Sequence, residues 1–200
     1  MTKIITISRE FGSGGRTIGR EVAKQLGIPC YDKELIEKIA EESGYAKEYV
    51  EAESEYAPNS GRMAYMFLGR GMDGLANVDH LWIAQKKIIE ELADRGPCVI
   101  VGRCADYVLK ERKDCLNVFV YADKAFRAER IVKQYGESAV KPIKRLDEKD
   151  KKRKLNYKYF TEQEWGNRKN YHLCIDSGYI GIRQAVDLIV KAAGGTVEHE

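Results

Sequence analysis

The sequence has 200 residues, 44% hydrophobic and 32% charged, which is the composition of a globular domain large enough to bury one substantial core. Its 34 basic and 31 acidic side chains leave a net charge of +3, a field too weak to indicate nucleic-acid binding. The chain contains no apolar run of about 18 residues, as a membrane-spanning helix would require. The apolar run near residue 1 is too short for the hydrophobic region of a signal peptide. We therefore expect a cytoplasmic protein without a membrane partner.

Predicted strands and helices alternate along the chain. A β-branched run at residues 4–8 stops at a glycine cluster, and helical spacing follows over residues 17–26. Further strands are predicted at residues 28–31, 98–101, 116–121 and 171–175, and further helices from residue 32 and at residues 46–55, 78–94, 123–135 and 180–193. This order predicts right-handed βαβ crossovers and an α/β fold with a parallel sheet covered on both faces.

A turn of small residues follows the first strand and consists of Gly12, Ser13, Gly14, Gly15, Arg16 and Thr17. Between a strand and a helix, such a turn lets backbone N–H groups converge on an anion, and the helix N-terminus adds partial positive charge. The standard form, G-x-x-x-x-G-K-[ST], adds a lysine for the terminal phosphates and a hydroxyl for magnesium. That lysine is absent here, and a turn that merely lets the first helix approach the sheet is the alternative interpretation.

The amino-acid sequence around this turn resembles that of a known family. Residues 5–32 read ITISREFGSGGRTIGREVAKQLGIPCYD, which is similar to the opening of the cytidylate kinase-like family, where a loop of the form S-R-x-[FY]-G-S-G-G-R is typical. The resemblance continues in VIVGRCADYVL, FVYADKAFRAERI and EWGNRKNYHLCIDSGYIG, so it covers nearly the whole chain.

The resemblance implies one P-loop kinase domain over residues 1–200, with a three-layer α/β/α arrangement, a five-stranded parallel sheet and a helical lid. It implies transfer of the γ-phosphoryl group of ATP, with Mg²⁺, to a nucleoside monophosphate, CMP or dCMP being favoured. Residues 45–77, rich in glycine, would form an acceptor-side insertion, and the charged residues 138–170 would form the lid. The expected partners are small-molecule nucleotides, and the protein would be a monomer or a homodimer.

The loop can be placed on the standard pattern in two registers. If Gly15-Arg16-Thr17 stands for Gly-Lys-Thr, Arg16 supplies the cation and Thr17 the hydroxyl on the magnesium side. If the chain is aligned to cytidylate kinases without a gap, Gly15 takes the place of the lysine and Arg16 that of the serine. In either register we expect Arg16 to contact phosphate, because a guanidinium at the junction of loop and helix can form bidentate phosphate bonds.

Three residues are expected on the acceptor side. Gly102-Arg103-Cys104 corresponds to a family Gly-Arg-Asp triplet whose arginine binds the acceptor monophosphate, so the resemblance assigns that role to Arg103. The aspartate of the triplet is absent, and Asp106 could compensate for it. Asp32 follows the second strand, where the carboxyl ends of strands place ligands, although it could instead serve only as a helix cap.

The charged segment resembles the family lid pattern R-D-x-x-D-x-x-R. Asp147, Asp150 and Arg153 match it, and the resemblance implies Arg145 and Arg153 as catalytic lid arginines beside Arg16. Arg130, on the preceding helix, is expected to bind the nucleotide. A solvated charged surface is the alternative interpretation of the segment.

Two other functions remain open at this point. The departures at Cys104 and in residues 45–77 are compatible with a kinase for a different small acceptor. The absent lysine is compatible with a nucleotide-binding regulatory protein that has lost transfer activity.

Overall fold

A parallel sheet forms the centre of the molecule. The structure is a computed structural model that describes residues 2–47, 50 and 77–196. Its strands are β1 (Ile4–Arg9), β2 (Cys30–Tyr31), β3 (Cys98–Val101), β4 (Cys115–Tyr121) and β5 (Leu173–Asp176), in the order β2-β3-β1-β4-β5. β1 lies between β3 and β4 and is buried along its whole length, including its polar residues Thr6, Ser8 and Arg9.

Helices cover both faces of the sheet. The described helices are α1 (Gly15–Leu26), α2 (Lys33–Ser43), α3 (Asn77–Arg95), α4 (Ala105–Val108), α5 (Lys124–Tyr135), α6 (Pro142–Thr161) and α7 (Ser177–Ala192), with a 3₁₀ turn at Arg168–Asn170. None of these helices combines the length and the apolar character that crossing a membrane requires.

The period of two along β1 separates the core into two layers. Ile5 points to the face covered by α1 and α7, where it shares a cluster with Ile18 and Ile189. Ile4 points to the opposite face and packs in a cluster with Ile89 of α3 and with side chains of α2. The predicted three-layer α/β/α fold with a five-stranded parallel sheet is therefore confirmed.

Predicted and observed elements differ most in the charged segment. Its composition favours a solvated helix, but the structure buries one side of α6, where Leu146, Asp150, Arg153 and Tyr157 are each less than one tenth exposed. These positions recur at helical spacing, so they share one face. The predicted helix at residues 46–55 and the insertion at 45–77 fall largely outside the described residues.

Two adjacent residues of α7 test the layer assignment. Ile189 is 0% exposed and Leu188 is 49% exposed. We expect Ile189→Ala to lower the free energy of unfolding by about 2–5 kcal/mol, because it leaves a cavity under the sheet. Leu188→Ala, the control, should cost less than about 1 kcal/mol. Urea unfolding measures both, and equal losses would contradict the packing of α7 described here.

Candidate functional site

The turn between β1 and α1, residues 10–15, is called the glycine loop below. Gly12 and Gly14 have φ values of +85° and +86°, in the left-handed region that favours glycine. A Cβ atom at position 12 would lie 2.9 Å from the carbonyl oxygen of Arg127, so Gly12 also permits the close approach of α5. The helix α1 starts at Gly15. Its first N–H groups have no acceptor within the helix, which makes this end suitable for an anion.

Hydroxyl groups hold the glycine loop in place. Ser13 Oγ lies 2.9 Å from the carbonyl oxygen of Glu10 and 3.1 Å from that of Val120. Ser177 Oγ, at the start of α7, donates a hydrogen bond of 2.6 Å to the carbonyl oxygen of Ser13. Both serines are fully buried. The loop is thus held in position from β4 and α7.

A buried carboxylate on α6 connects this helix to the glycine loop. Asp150 accepts a hydrogen bond of 2.8 Å from Phe11 N and one of 2.5 Å from Arg127 Nη1. Arg127, 4% exposed, also donates to the carbonyl oxygen of Phe11 at 3.2 Å, and its Nε lies 3.4 Å from Glu10 Oε2. Burial raises the pKa of Glu10, and the positive charge of Arg127 opposes that rise. Loop, α5 and α6 therefore meet at one ion pair.

Arg153 is the second α6 residue that reaches the loop. Its Nη1 donates a hydrogen bond of 3.0 Å to the carbonyl oxygen of Arg9, and its guanidinium carbon lies 5.9 Å from the centre of the Phe11 ring. The side chain is buried and lines a small cavity together with Arg9 and Arg103. The structure thus places Arg153 beside both the loop and the end of β3.

The other two predicted lid residues lie away from the loop. Asp147 is exposed and forms an ion pair of 2.7 Å with Lys124 on α5. Arg145 donates to the carbonyl oxygen of Gly136, just after α5, at 3.3 Å. A role for either in phosphoryl transfer remains a prediction, and in this arrangement each connects α6 to α5.

Arg130 lies next to the glycine loop, and its role in nucleotide binding stays a prediction. Its Nη2 donates a hydrogen bond of 2.9 Å to Thr17 Oγ1, and its Nε lies 3.4 Å from the position of a Cβ atom at Gly14. A guanidinium therefore lies against the start of α1, where phosphate groups would bind.

Arg16 and Asp32 are brought together, although the sequence assigned them to different substrates. Arg16 Nε lies 3.2 Å from Asp32 Oδ1, and Arg20 Nη2 lies 3.4 Å from Asp32 Oδ2. Asp32 is 4% exposed and precedes α2, but its side chain makes no capping hydrogen bond to that helix. Asp32 therefore occupies the N-cap position of α2, while its carboxylate joins the end of β2 to two arginines of α1.

Arg103 lies on a strained turn directly after β3. Arg103 and Cys104 have φ values of +58° and +54°, and Gly102 before them has +78°. For residues other than glycine such a conformation costs about 1–3 kcal/mol each and is characteristic of functional sites. Gln85 Nε2 from α3 donates a hydrogen bond of 2.9 Å to the carbonyl oxygen of Arg103, which helps to fix the turn.

Asp106, the other predicted acceptor residue, is enclosed rather than open to the cavity. Its carboxylate is 4% exposed and accepts a hydrogen bond of 2.6 Å from Tyr157 on α6. Burial raises the pKa of Asp106 to about 6, although the hydrogen bond from Tyr157 lowers it. This geometry favours a structural role, in which Asp106 holds α6 against α4.

Sequence reasoning missed or undervalued several residues of the site. Neither Arg9 nor Gln85 is among the predicted site residues, and the sequence favours a site role for Arg127 less than for Arg130, with a solubilising surface role as the alternative for both. Each lies within an otherwise regular strand or helix, so neither composition nor spacing distinguishes it from a structural residue. One signal existed for Arg9, since it lies within the family loop form S-R-x-[FY]-G-S-G-G-R.

Comparisons with known proteins agree with this architecture. The sequence profile of the cytidylate kinase-like family matches residues 4–179. A cytidylate kinase of Archaeoglobus fulgidus is 29% identical over 192 residues, which cover 94% of this chain and 93% of that protein.

Solved structures share the fold. An uncharacterized protein from Eubacterium ventriosum is 25% identical with a TM-score of 0.73, over 98% of this chain and 100% of that one. A shikimate kinase from Acinetobacter baumannii is 17% identical with a TM-score of 0.53, over 96% of this chain and 93% of that one. At that identity, the second likeness concerns the fold alone.

Two carboxylates on α6 test the buried ion pair. Asp150→Ala should lower the free energy of unfolding by about 3–5 kcal/mol, because it removes the shorter of the two ion pairs of the buried Arg127 and the acceptor of Phe11 N, and leaves Glu10 at 3.4 Å as the other carboxylate. Asp147→Ala, three residues earlier, removes the exposed pair with Lys124 and should cost less than about 1 kcal/mol. Urea unfolding compares the variants, and similar costs would refute the connecting role of Asp150.

Asp106 should make stability depend on pH. Its pKa is raised from 3.8 to about 6, so between pH 4 and 6 the folded state retains a proton that the unfolded state loses, and stability falls as pH rises. Asp106→Asn removes this titration. Between pH 4 and 7, we expect the free energy of unfolding of the variant to rise relative to that of the wild type by up to about 3 kcal/mol. Urea unfolding at intermediate pH values measures the difference, and a difference independent of pH would contradict the assignment; Asp147→Asn is the exposed control.

Proposed function

The chain belongs to the cytidylate kinase-like family, and we propose that it transfers the γ-phosphoryl group of ATP to a nucleoside monophosphate, with CMP or dCMP as the favoured acceptor. The family match and the names of its curated relatives support a kinase. The geometry of the site supports an acceptor that carries a phosphate group.

One observation carries this proposal, the convergence of buried arginines in a single cavity. Arg9, Arg103 and Arg153 line it between the glycine loop and the end of β3, and each is less than one tenth exposed. Guanidinium groups bind phosphate oxygens in pairs of parallel hydrogen bonds. A phosphate bound against these side chains would add negative charge to that of Asp150, which lies 3.9 Å from Arg153 Nη1. The carboxyl ends of parallel strands are where α/β sheets bind ligands.

The proposed roles follow from position. The glycine loop and Arg130 hold the triphosphate, Arg103 holds the acceptor phosphate, and Arg153 neutralises charge on the group in transfer. Such a reaction depends mainly on positioning and charge neutralisation. The acceptor oxygen of a monophosphate is already ionised near neutral pH, so no general base is required. Burial of Arg153 against the loop excludes water, which would otherwise compete as acceptor.

Magnesium enters this proposal as part of the MgATP substrate. Thr17 is the predicted protein contact, but its Oγ1 accepts the hydrogen bond from Arg130, which places positive charge 2.9 Å from the oxygen. The site therefore does not fit a magnesium ion bound directly to Thr17, and we assign its coordination to phosphate oxygens and water. Within residues 2–47, 50 and 77–196, no group of three or more His, Cys, Asp and Glu side chains could hold a metal ion.

An assay of ADP release tests the acceptor. With MgATP and a panel of nucleoside monophosphates and hydroxylated metabolites, we expect kcat/KM for CMP or dCMP to exceed that for the others by at least about tenfold. Turnover with a different acceptor alone would support the first alternative. ATP binding without turnover of any acceptor would support a regulatory protein.

Arg103 provides a structural test within the same assay. Arg103→Met removes the guanidinium and should raise KM for the acceptor by about 100-fold, while the affinity for ATP changes by less than about threefold. Arg95→Met, at the exposed end of α3, is the control. An unchanged KM for the acceptor would remove Arg103 from the acceptor site.

A further inference from the structure

The glycine loop lacks the cation that a triphosphate site needs at its terminal phosphates. The standard loop supplies a lysine there. Arg16 is the residue that sequence reasoning assigned to this task, but its Nε lies 3.2 Å from the buried carboxylate of Asp32, at the end of β2. The ion pair with Asp32 therefore competes with phosphate for the charge of Arg16.

A different arginine occupies the space that a side chain at position 15 would fill. A Cβ atom at Gly15 would lie 2.5 Å from Cβ and 2.8 Å from Cγ of Arg9, at the end of β1. Gly15 begins α1 and is not among the residues with positive φ, so the backbone does not require glycine there. Glycine in a helix costs about 1 kcal/mol relative to alanine. The stem of Arg9 accounts for its presence.

Relative to the standard pattern, positions 9 and 15 have exchanged their residue types. Gly14 has a left-handed backbone conformation, and α1 begins at the next residue. This arrangement favours Gly14 as the final glycine of G-x-x-x-x-G-K. In that register the first glycine of the pattern falls on Arg9 and the lysine falls on Gly15. The positively charged residue is therefore at the end of β1 and not at the start of α1, and the glycine is at the start of α1 and not at the end of β1.

The guanidinium of Arg9 lies at the centre of the proposed transfer site. A Cβ atom at Gly102 would lie 3.0 Å from Arg9 Cζ and would collide with Nη1, so position 102 must also be glycine for this side chain to fit. From there Arg9 faces the same cavity as Arg103 and Arg153. Arg153 also binds the carbonyl oxygen of Arg9 at 3.0 Å, which fixes the end of β1 under α6.

We propose that Arg9 is a catalytic residue that replaces the missing loop lysine: its side chain crosses Gly15 and its guanidinium binds the terminal phosphates of ATP. The proposal rests on the proposed function, because it requires MgATP to bind above the glycine loop. A planar guanidinium at this point can contact the phosphoryl group throughout transfer, as a lysine does in the standard loop.

A cycle of variants tests the exchange. Arg9→Met keeps the stem beneath Gly15 but removes the guanidinium, and we expect a loss in kcat/KM for ATP of at least about 100-fold. Arg9→Gly and Gly15→Lys should each be impaired, the first through loss of charge and the second through collision with Arg9. The double variant R9G/G15K recreates the standard loop and should recover at least about tenfold over either single variant.

The outcomes separate this proposal from the proposed function. Calorimetric titration with MgATP and urea unfolding accompany each assay, and a folded Arg9→Met protein decides the matter even if a glycine-loop variant does not fold. If the wild type binds and uses ATP but Arg9→Met matches it, or if Arg16→Met loses more than Arg9→Met, the role of Arg9 is wrong while the kinase stands. If the wild type does not bind MgATP, the proposed function fails and the role of Arg9 fails with it.

Discussion

The buried carboxylate of Asp150 is the contact on which the geometry of the site depends. It lies on α6 and accepts hydrogen bonds from the N–H of Phe11 in the glycine loop and from the guanidinium of Arg127 on α5. Burying both ions is costly, and two short charge-assisted hydrogen bonds with good geometry offset that cost. Because the three elements share one ion pair, the shape of the loop, the position of α5 and the position of α6 are set together.

The arginines of this edge form two sets. Asp32 binds Arg16, and Asp150 binds Arg127, so these two guanidinium groups are used within the protein. A second set, Arg9, Arg103 and Arg153, faces one cavity. We interpret the first set as the framework of the site and the second as its phosphate contacts. The distinction rests on the lining of this cavity and not on ion pairing, since Arg153 Nη1 also lies 3.9 Å from Asp150 Oδ1.

The same edge concentrates features that are unfavourable for stability. The turn after β3 carries two residues other than glycine with positive φ, and beside it Asp106 is buried with a raised pKa. Strain and buried charge of this kind persist only where the surrounding structure determines the conformation. Here Gln85 holds the turn from α3 and Tyr157 holds Asp106 from α6. The apolar layers beneath the sheet edge provide the stability that offsets these costs.

The sequence by itself determined the layers of the fold, the place of the glycine loop and the family. Apolar runs of period two and 3.6 depend on local geometry, and the loop needs only adjacent small residues, so both can be recognised without tertiary contacts. Arg130 and Arg153 were also predicted, through the family pattern, and both lie against the loop. A solvated charged surface, the alternative interpretation of the lid segment, is wrong on one side of α6, because the burial of Asp150 depends on Arg127, which is distant in sequence.

Tertiary structure alone decided which arginine reaches which group. A guanidinium at the end of a long side chain can reach in many directions, and its direction depends on the carboxylates and glycines that the fold brings near it. Arg16 is drawn to Asp32 across the gap between α1 and β2, and Arg9 passes through the space that Gly15 and Gly102 leave open. These contacts join residues from different elements, so no local pattern in the chain could have specified them.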